Sequence, residues 1–508
     1  VGLVSRLVGA VRLVRLVPRL LTPGDSVMER TATGGVWLSL LTVADRVLRL
    51  GMFVVLARVL APADFGLLGL GLLVLAVLRR VSRLGLDEAL IQREEADVDA
   101  YLDTTWTLTI GRGVVIAVVT VAAAPTVAGV FAEPQLRSIL PILALSPLLA
   151  GLRNPGVVYF RKELAFHRQF VYTLSGTVAQ VAVAVAVALV SQNVWALVLG
   201  VVAGAAVRTA VSHAIHGYRP GLAFDASAAR ELLGFGKWIF GSGLVLLALN
   251  QGDDALVGWL LGASALGLYQ MAFRLSNAPA TEVSHVVSKA TFPAFSKVQD
   301  DVERLRQGFF RTVRIVVALA FPMAVGIAVV APVFVRAVLG PDWLPIVAAM
   351  RLLALWGALR ALVAVVGPLF QATGRPQYST VLQLSRLAIV AALVYPAALR
   401  WGFSGVAAVL VASAVAQNPV ALAVALRVVD GSPRRFLRAV ALPTVAALSM
   451  GVVVLATAAA LPPVSPLAAL CCLVAVGVVA YPLFLVLGAR AFETELESDV
   501  AVVRDALT

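Results

Sequence analysis

The stretch LARVLAPADFGLLGLGLLVLAVLRRVSRLGLDEALIQ, residues 56–92, sets the reading of the whole chain. An apolar run stops at Leu60-Ala61-Pro62-Ala63-Asp64-Phe65-Gly66. A second run follows and ends in Arg79-Arg80-Val81-Ser82-Arg83. About 20 apolar residues make a helix long enough to cross roughly 30 Å of hydrocarbon. The stretch therefore reads as the end of one membrane helix, a tight Pro/Gly turn, and a second helix that returns to a basic cytoplasmic end. A similar stretch, VGWLLGASALGLYQMAFRL, occupies 257–275. Leu60–Gly66 aligns with Leu261–Gly267 at a spacing of 201 residues. In each copy an apolar helix halts at a small-residue corner and a new helix begins.

Apolar runs recur throughout the 508 residues, 60% of which are hydrophobic. The mean hydropathy is +0.93. A soluble chain of this size would be nearer 45–50% apolar. The fold class expected is an all-α polytopic membrane protein of about fourteen spans. Their expected ranges are 35–58, 66–84, 106–130, 137–158, 170–190, 194–215, 237–261, 266–288, 314–338, 345–372, 378–399, 403–426, 437–460 and 467–488. Residues 1–20, which carry Arg6, Arg12, Arg15 and Arg19, are too charged to span. They read as an amphipathic helix on the cytoplasmic leaflet, drawn by anionic lipid, rather than as a signal peptide.

The formal charge of +13 would suggest nucleic acid if the basic residues were gathered on one domain. They are spread among membrane loops instead, as positive-inside bias requires. With the N-terminus inside, roughly 30 basic residues fall on the cytoplasmic side. Arg137, Arg336 and Arg400 fall outside. Both termini are thus expected in the cytoplasm. Cys471 and Cys472 are adjacent in an apolar run, and the four histidines are dispersed, so neither a disulfide framework nor a metal site is expected.

The repeat extends past its first match. Phe131-Ala132-Glu133-Pro134 corresponds to Leu339-Gly340-Pro341-Asp342, and Gly151-Leu152-Arg153 to Ala358-Leu359-Arg360. Spans 1–6 and 7–12 read as two copies of a six-helix unit, related by an axis along the membrane normal. The expected organisation is a basic segment at 1–30, an N-terminal lobe at 31–220 and a C-terminal lobe at 221–430. Two further spans at 431–490 and a cytoplasmic tail at 491–508 complete it.

Ionisable side chains at membrane depth are costly, so they tend to face a cavity or a partner. Asp45 and Arg49 lie four apart on one helical face, suited to pairing, and Arg46 points elsewhere. Asn250-Gln251-Gly252-Asp253-Asp254 is the most polar run within a span, and Gly252 is expected to loosen the helix there. Its carboxylates read either as a proton or cation relay or as counter-ions for arginines. Arg274 and Glu282 share a face of the eighth span; Arg360 and Arg386 lie in the tenth and eleventh. Arginines outnumber the carboxylates Asp45, Asp253, Asp254 and Glu282 at this depth. That surplus suits an anion, since guanidinium forks match phosphate oxygens. The acidic segment Asp87–Asp103 reads as a solvated loop. No phosphate-binding glycine loop or nucleophile elbow is present.

ARVLAPADFGLLGL (57–70), LGLDEALIQREE (84–95) and DTTWTLTIGRG (103–113) resemble the Wzx-type oligosaccharide flippases, the polysaccharide transporter branch of the MOP superfamily. So do DALVGWLLGASALGLYQMAFRL (254–275), FPAFSKVQDD (292–301), GPDWLPIVAAMRLLALWG (340–357) and FQATGRPQYS (370–379). The resemblance covers residues 30–430. It implies two six-helix lobes around a central cavity in the bacterial cytoplasmic membrane. It implies a transporter, not an enzyme, that moves an undecaprenyl-diphosphate-linked oligosaccharide outward without a cofactor, coupled to H+ or Na+. By helix position it places Arg46, Arg49 and Arg274 among the cavity arginines. The partners implied are the lipid-linked oligosaccharide, membrane lipids, and the glycosyltransferases and polymerase of the same pathway, with no nucleic acid. A cation-coupled drug exporter of the superfamily would want more lumenal carboxylates. A membrane glycan polymerase or glycosyltransferase would want a large external loop.

Overall fold

The computed structural model describes residues 27–82 and 95–491, with side chains over 33–82, 101–225 and 251–490 apart from 278, 279, 282, 285 and 286. The expected amphipathic segment at 1–20, most of the acidic loop and the tail at 492–508 lie outside the described residues. Every element described is helical. The first are α1 (Val27–Ala57), α2 (Pro62–Val81), α3 (Glu95–Val130), α4 (Leu136–Leu143) and α5 (Leu145–Gly151). After a 3-10 turn at Pro155–Val158 come α6 (Tyr159–Lys162), α7 (Phe166–Ser191), α8 (Trp195–Ile215) and α9 (Ala226–Lys297). Then follow α10 (Val302–Phe334), α11 (Ile346–Leu362), α12 (Val366–Ala372), α13 (Gln377–Val428), α14 (Pro433–Ala460) and α15 (Pro466–Ala491).

Among the described residues ten helices are long and apolar enough to cross a membrane, or eleven if the pair 136–151 and 155–162, bent by 74°, is one span. The chain is thus an all-α, multi-pass membrane protein. α1 is outside that count, its middle carrying Asp45, Arg46 and Arg49. Two helices run through internal corners: α9 is broken at Gly262 (φ 81°) and α13 at Gly402 (φ 59°). A straight helix of 52 residues would extend about 78 Å, more than twice the hydrocarbon thickness.

The corner in the opening stretch has a local cause. Pro62 begins α2, where its missing N–H costs nothing. Asp64 accepts the Ala61 N–H at 3.0 Å and satisfies a donor that the first turn leaves open. At the far end Arg112 of α3 donates to the Arg79 carbonyl at 2.8 Å and to Ser82 Oγ at 3.1 Å, closing the C-terminus of α2.

The chain divides into two compact units: Val1–Ala255 with Gly262–Ser264, and Leu256–Leu261 with Ala265–Thr508. In the first, α7 and α8 pack through small residues: a Cβ on Gly204 would lie 2.8 Å from the Gly176 carbonyl, and one on Gly200 2.8 Å from the Ala184 Cβ. Small residues let membrane helices approach where no hydrophobic force drives them together. Within this unit Gly66 also lies against the Ala263 carbonyl, and Glu133 Oε1 accepts the Ala263 N–H at 3.0 Å. In the second unit α10 supplies Leu305, Phe309, Phe310, Val313, Val316, Val317 and Ala320 to a buried core shared with α11, α12, α13 and α14. Those positions recur at three and four residues, one face of a helix. Asp301 caps α10 by accepting from Arg304 N at 3.1 Å, and Ser432 caps α14 by accepting from Arg435 N at 3.2 Å.

Left-handed backbone recurs at a fixed spacing. Ala132 (φ 53°), Leu164 (φ 59°) and Gln192 (φ 47°) stand 208, 210 and 210 residues before Gly340 (φ 114°), Gly374 (φ 70°) and Gly402 (φ 59°). The second member of each pair is glycine, which adopts this region without a Cβ penalty.

Candidate functional site: arginine clusters

In the first unit α1 and α7 are joined by polar side chains. Arg49 Nε donates to Asp45 Oδ2 at 2.8 Å, Nη1 to Gln180 Oε1 at 3.2 Å and Nη2 to Thr177 Oγ1 at 3.2 Å. Thr177 in turn donates to Asp45 Oδ1 at 2.6 Å. The expected Asp45–Arg49 pair is present, and its hydrogen-bonding capacity is largely taken up inside the unit. Arg46 is half-buried on the same helix.

Beside this network lies a guanidinium that the spacing of charges did not single out. Arg208 of α8 fills the space left by the missing side chain of Gly176 and donates to the Gly204 carbonyl at 3.1 Å. It is within electrostatic reach of Arg49, Asp45 and Arg153, and Arg79 is within reach of it. Arg79 donates to Ser146 Oγ at 2.9 Å. Arg208 thus has Arg49, Arg79 and Arg153 within reach, and Asp45 faces Arg49 and Arg208.

The second unit holds another cluster. Arg360 of α11 and Arg386 of α13 both stack on Trp356, with guanidinium carbons 4.9 and 5.2 Å from the ring centre. The indole is itself buried. Arg360 Nη2 donates to Thr281 Oγ1 at 2.6 Å, and Thr281 donates to the Asn277 carbonyl at 2.9 Å. Asn418 Nδ2 donates to the Leu359 carbonyl at 2.7 Å, and Gln417 to Ser385 Oγ at 2.6 Å.

Arg274 is exposed on α9, and the side chain of Glu282 lies outside the described residues. Asp253 and Asp254 are half-buried. The helix continues unbroken through Gly252; its corner is at Gly262, ten residues later. Next to the aspartates Gln251 Oε1 is buried without a hydrogen-bond partner among the described residues. Among the described residues no group of His, Cys, Asp and Glu could hold a metal ion.

A long apolar groove runs along the second unit between α10, α14 and α15. Its cavity of about 480 Å³ is lined by Met323, Ile327, Val330, Met450, Leu473 and Val478 among others, with Tyr481 at its side.

Residues 55–348 match the family model described as polysaccharide biosynthesis protein. The chain belongs to this family. It is 29% identical over 360 residues to the lipopolysaccharide biosynthesis protein WzxC of Escherichia coli K12, covering 70% of this chain and 72% of that one. It is 25% identical over 352 residues to the teichuronic acid biosynthesis protein TuaB of Bacillus subtilis 168, covering 69% and 73%. Among solved structures, the lipid II flippase MurJ in an inward closed conformation superposes with a TM-score of 0.74 at 13% identity, over 90% of this chain and all of that one. An inward-facing multidrug resistance MATE transporter of the MOP superfamily gives 0.57 at 15% identity, over 78% and 98%. These superpositions show the fold of this bacterial multi-pass membrane protein.

Proposed function

We propose that this chain moves an undecaprenyl-diphosphate-linked oligosaccharide from the cytoplasmic to the outer leaflet for surface polysaccharide synthesis, by alternating access. The observation that carries this reading is the gathering of arginines at membrane depth in each unit, with Asp45 the one carboxylate in the first cluster. Guanidinium groups at membrane depth in such numbers are expensive unless an anion visits them, and phosphate oxygens fit their forks. The names of the relatives point the same way, to lipopolysaccharide and teichuronic acid.

In this reading the chain has fourteen crossings. Ten qualifying helices, the bent pair and α1 make twelve, and the corners at Gly262 and Gly402 divide two of them. The recurrence of left-handed backbone at 208–210 residues supports two six-helix lobes at 31–220 and 221–430, followed by two added spans at 431–490. Both termini are cytoplasmic by the distribution of basic residues.

The anion-binding groups are Arg46 and Arg49 in the first unit and Arg274, Arg360 and Arg386 in the second. Asp45, Asp253, Asp254 and Glu282 are the groups for H+ or Na+ coupling. For the diphosphate to use Arg49, that guanidinium must exchange its bonds to Asp45, Thr177 and Gln180, which links anion binding to the protonation of Asp45. The apolar groove beside α14 and α15 takes the prenyl chain. Moving about two negative charges out of a negative interior gains roughly 4.6 kcal/mol per 100 mV, enough to favour outward transfer. Glycosyltransferases supply the substrate and a polymerase consumes it.

A strain that lacks its own flippase for this glycan, complemented with this chain, tests the reading. Wild-type protein restores surface glycan. Arg46→Ala and Arg274→Ala leave the protein in the membrane and stop the glycan inside. Normal surface glycan from both variants would remove the anion site.

A further inference from the structure

We propose that the corner where α1 meets the start of α7 binds the headgroup of a zwitterionic phospholipid, one that carries a primary ammonium and a phosphate. The site lies within the first unit, apart from its arginine cluster, and does not depend on what the chain transports.

α1 and α7 run parallel in a constant register: Gly34 lies against Phe166, Asp45 against Thr177 and Arg49 against Gln180. Beside the first of these contacts is a cavity of about 200 Å³, lined by Thr33, Trp37, Glu163, His167 and Arg168 among others. Two features build it. Gly34 brings α1 onto the Phe166 ring, which a Cβ at that position would strike. Leu164, in left-handed backbone (φ 59°), turns the chain between α6 and α7. The turn places Glu163, which ends α6, and Arg168, in the first turn of α7, on one cavity. Neither charged side chain makes a hydrogen bond or an ion pair among the described residues.

The fold does not require these charges. At the spacing of 210 residues Leu164 corresponds to Gly374, and Glu163 and Arg168 correspond to Thr373 and Tyr378. The second unit makes its corner with glycine and has an uncharged residue on each side. The first unit holds a leucine in backbone that favours glycine and sets opposite charges beside it. Strained backbone of this kind gathers at binding sites.

One carboxylate and one guanidinium select the ligand. A simple anion is repelled by Glu163 and a simple cation by Arg168, and an uncharged sugar neutralises neither. A headgroup with both charges answers both. Its phosphate oxygens fit the Arg168 fork, and its ammonium meets the Glu163 carboxylate and the face of Trp37 by cation–π attraction. Trp37 is half-buried and held edge-on against Phe170, ring centres 5.1 Å apart. The level also fits: an apolar helix long enough to cross the membrane begins at Phe166, and tryptophan gathers at headgroup level. Further along the same two helices Leu40, Val43, Val47 and Val171 are exposed, an apolar surface for the acyl chains.

The test uses the full chain in nanodiscs of phosphatidylglycerol. Each disc holds a trace of phosphatidylethanolamine or of phosphatidylglycerol, with the same photoreactive group near the head of one acyl chain. Cross-linked peptides are mapped by mass spectrometry. The chain's charge of +13 favours the anionic lipid elsewhere, so a preference for the ethanolamine lipid here is specific. Segments 33–43 and 163–171 are expected to take the ethanolamine probe about tenfold more than the glycerol probe, the worth of one charge-assisted contact. The excess disappears in Glu163→Gln, falls in Trp37→Leu and is kept in Glu163→Asp. Equal labelling of the wild type by the two probes would overturn the proposal, and that comparison involves no variant. An excess that survives both Glu163→Gln and Trp37→Leu would overturn it too. So would an excess abolished by a soluble disaccharide, which would make the cavity a sugar site instead.

Discussion

Thr177 shows how much one hydroxyl can hold together. It donates to Asp45 and accepts from Arg49, so it ties α7 to both members of the α1 ion pair. Thr177→Val keeps the shape and removes both bonds, which should cost about 1–3 kcal/mol and appear as a lower apparent Tm of the purified protein. The Asp45–Arg49 pair was readable from its spacing of four. Thr177 and Gln180 were not, because nothing local marks a residue about 130 positions away as the partner. Arg208 was missed for a related reason: its place depends on the absent side chain of Gly176 on a neighbouring helix. Backbone strain gives a second prediction. Gly402 has φ 59° and Gln192 has φ 47°. Gly402→Ala should destabilise by about 1–2 kcal/mol, the cost of placing a Cβ in the left-handed region, while Gln192→Gly should be neutral or stabilising. Equal losses of apparent Tm in the two would contradict that reading.

The helices were legible where composition sets them and less so where their ends depend on neighbours. Apolar runs located the ten helices that are long and apolar enough to cross a membrane among the described residues, and the corners at Gly262 and Gly402 lie where small residues interrupt those runs. The expected loosening at Gly252 is absent, since a single glycine in a long apolar helix removes no hydrogen bond; the turn needs the positive φ that Gly262 supplies. The break between α11 and α12 at 363–365 was also unread, because Leu362-Val363-Ala364-Val365 is apolar and carries no turn residue. The contact of α7 with α8 yields the prediction at this level. Gly176→Val would force Arg208 out of its place, since a Cβ there already meets the arginine side chain. The protein should still reach the membrane, because overpacking costs typically 1–3 kcal/mol, yet surface glycan should fall at least about tenfold if a displaced guanidinium costs one charge-assisted interaction. Wild-type glycan levels in this variant would mean that Arg208 only fills space.

Over the full chain three features stand together: guanidinium clusters in both units, an apolar groove of about 480 Å³ along α14 and α15, and a sequence of the polysaccharide biosynthesis family. The fold class and the family were legible because lipid imposes apolar runs of fixed length and because residues 55–348 keep the family's text. The groove was not, since its lining comes from five helices whose apolar residues look like any lipid-facing surface. Filling it should separate the chain's two loads. Gly477→Phe, placed where Val454 and Met450 are the nearest side chains, should slow transfer of a substrate with a long prenyl chain more than one with a short chain. The most direct measurement is reconstitution into proteoliposomes with a fluorescent undecaprenyl-diphosphate oligosaccharide, following its transfer between leaflets under an imposed potential. The account predicts transfer that needs the protein, speeds up when the donor side is negative, and is lost in Arg46→Ala/Arg274→Ala. Transfer at the protein-free rate, or at the wild-type rate in the double variant, would contradict it.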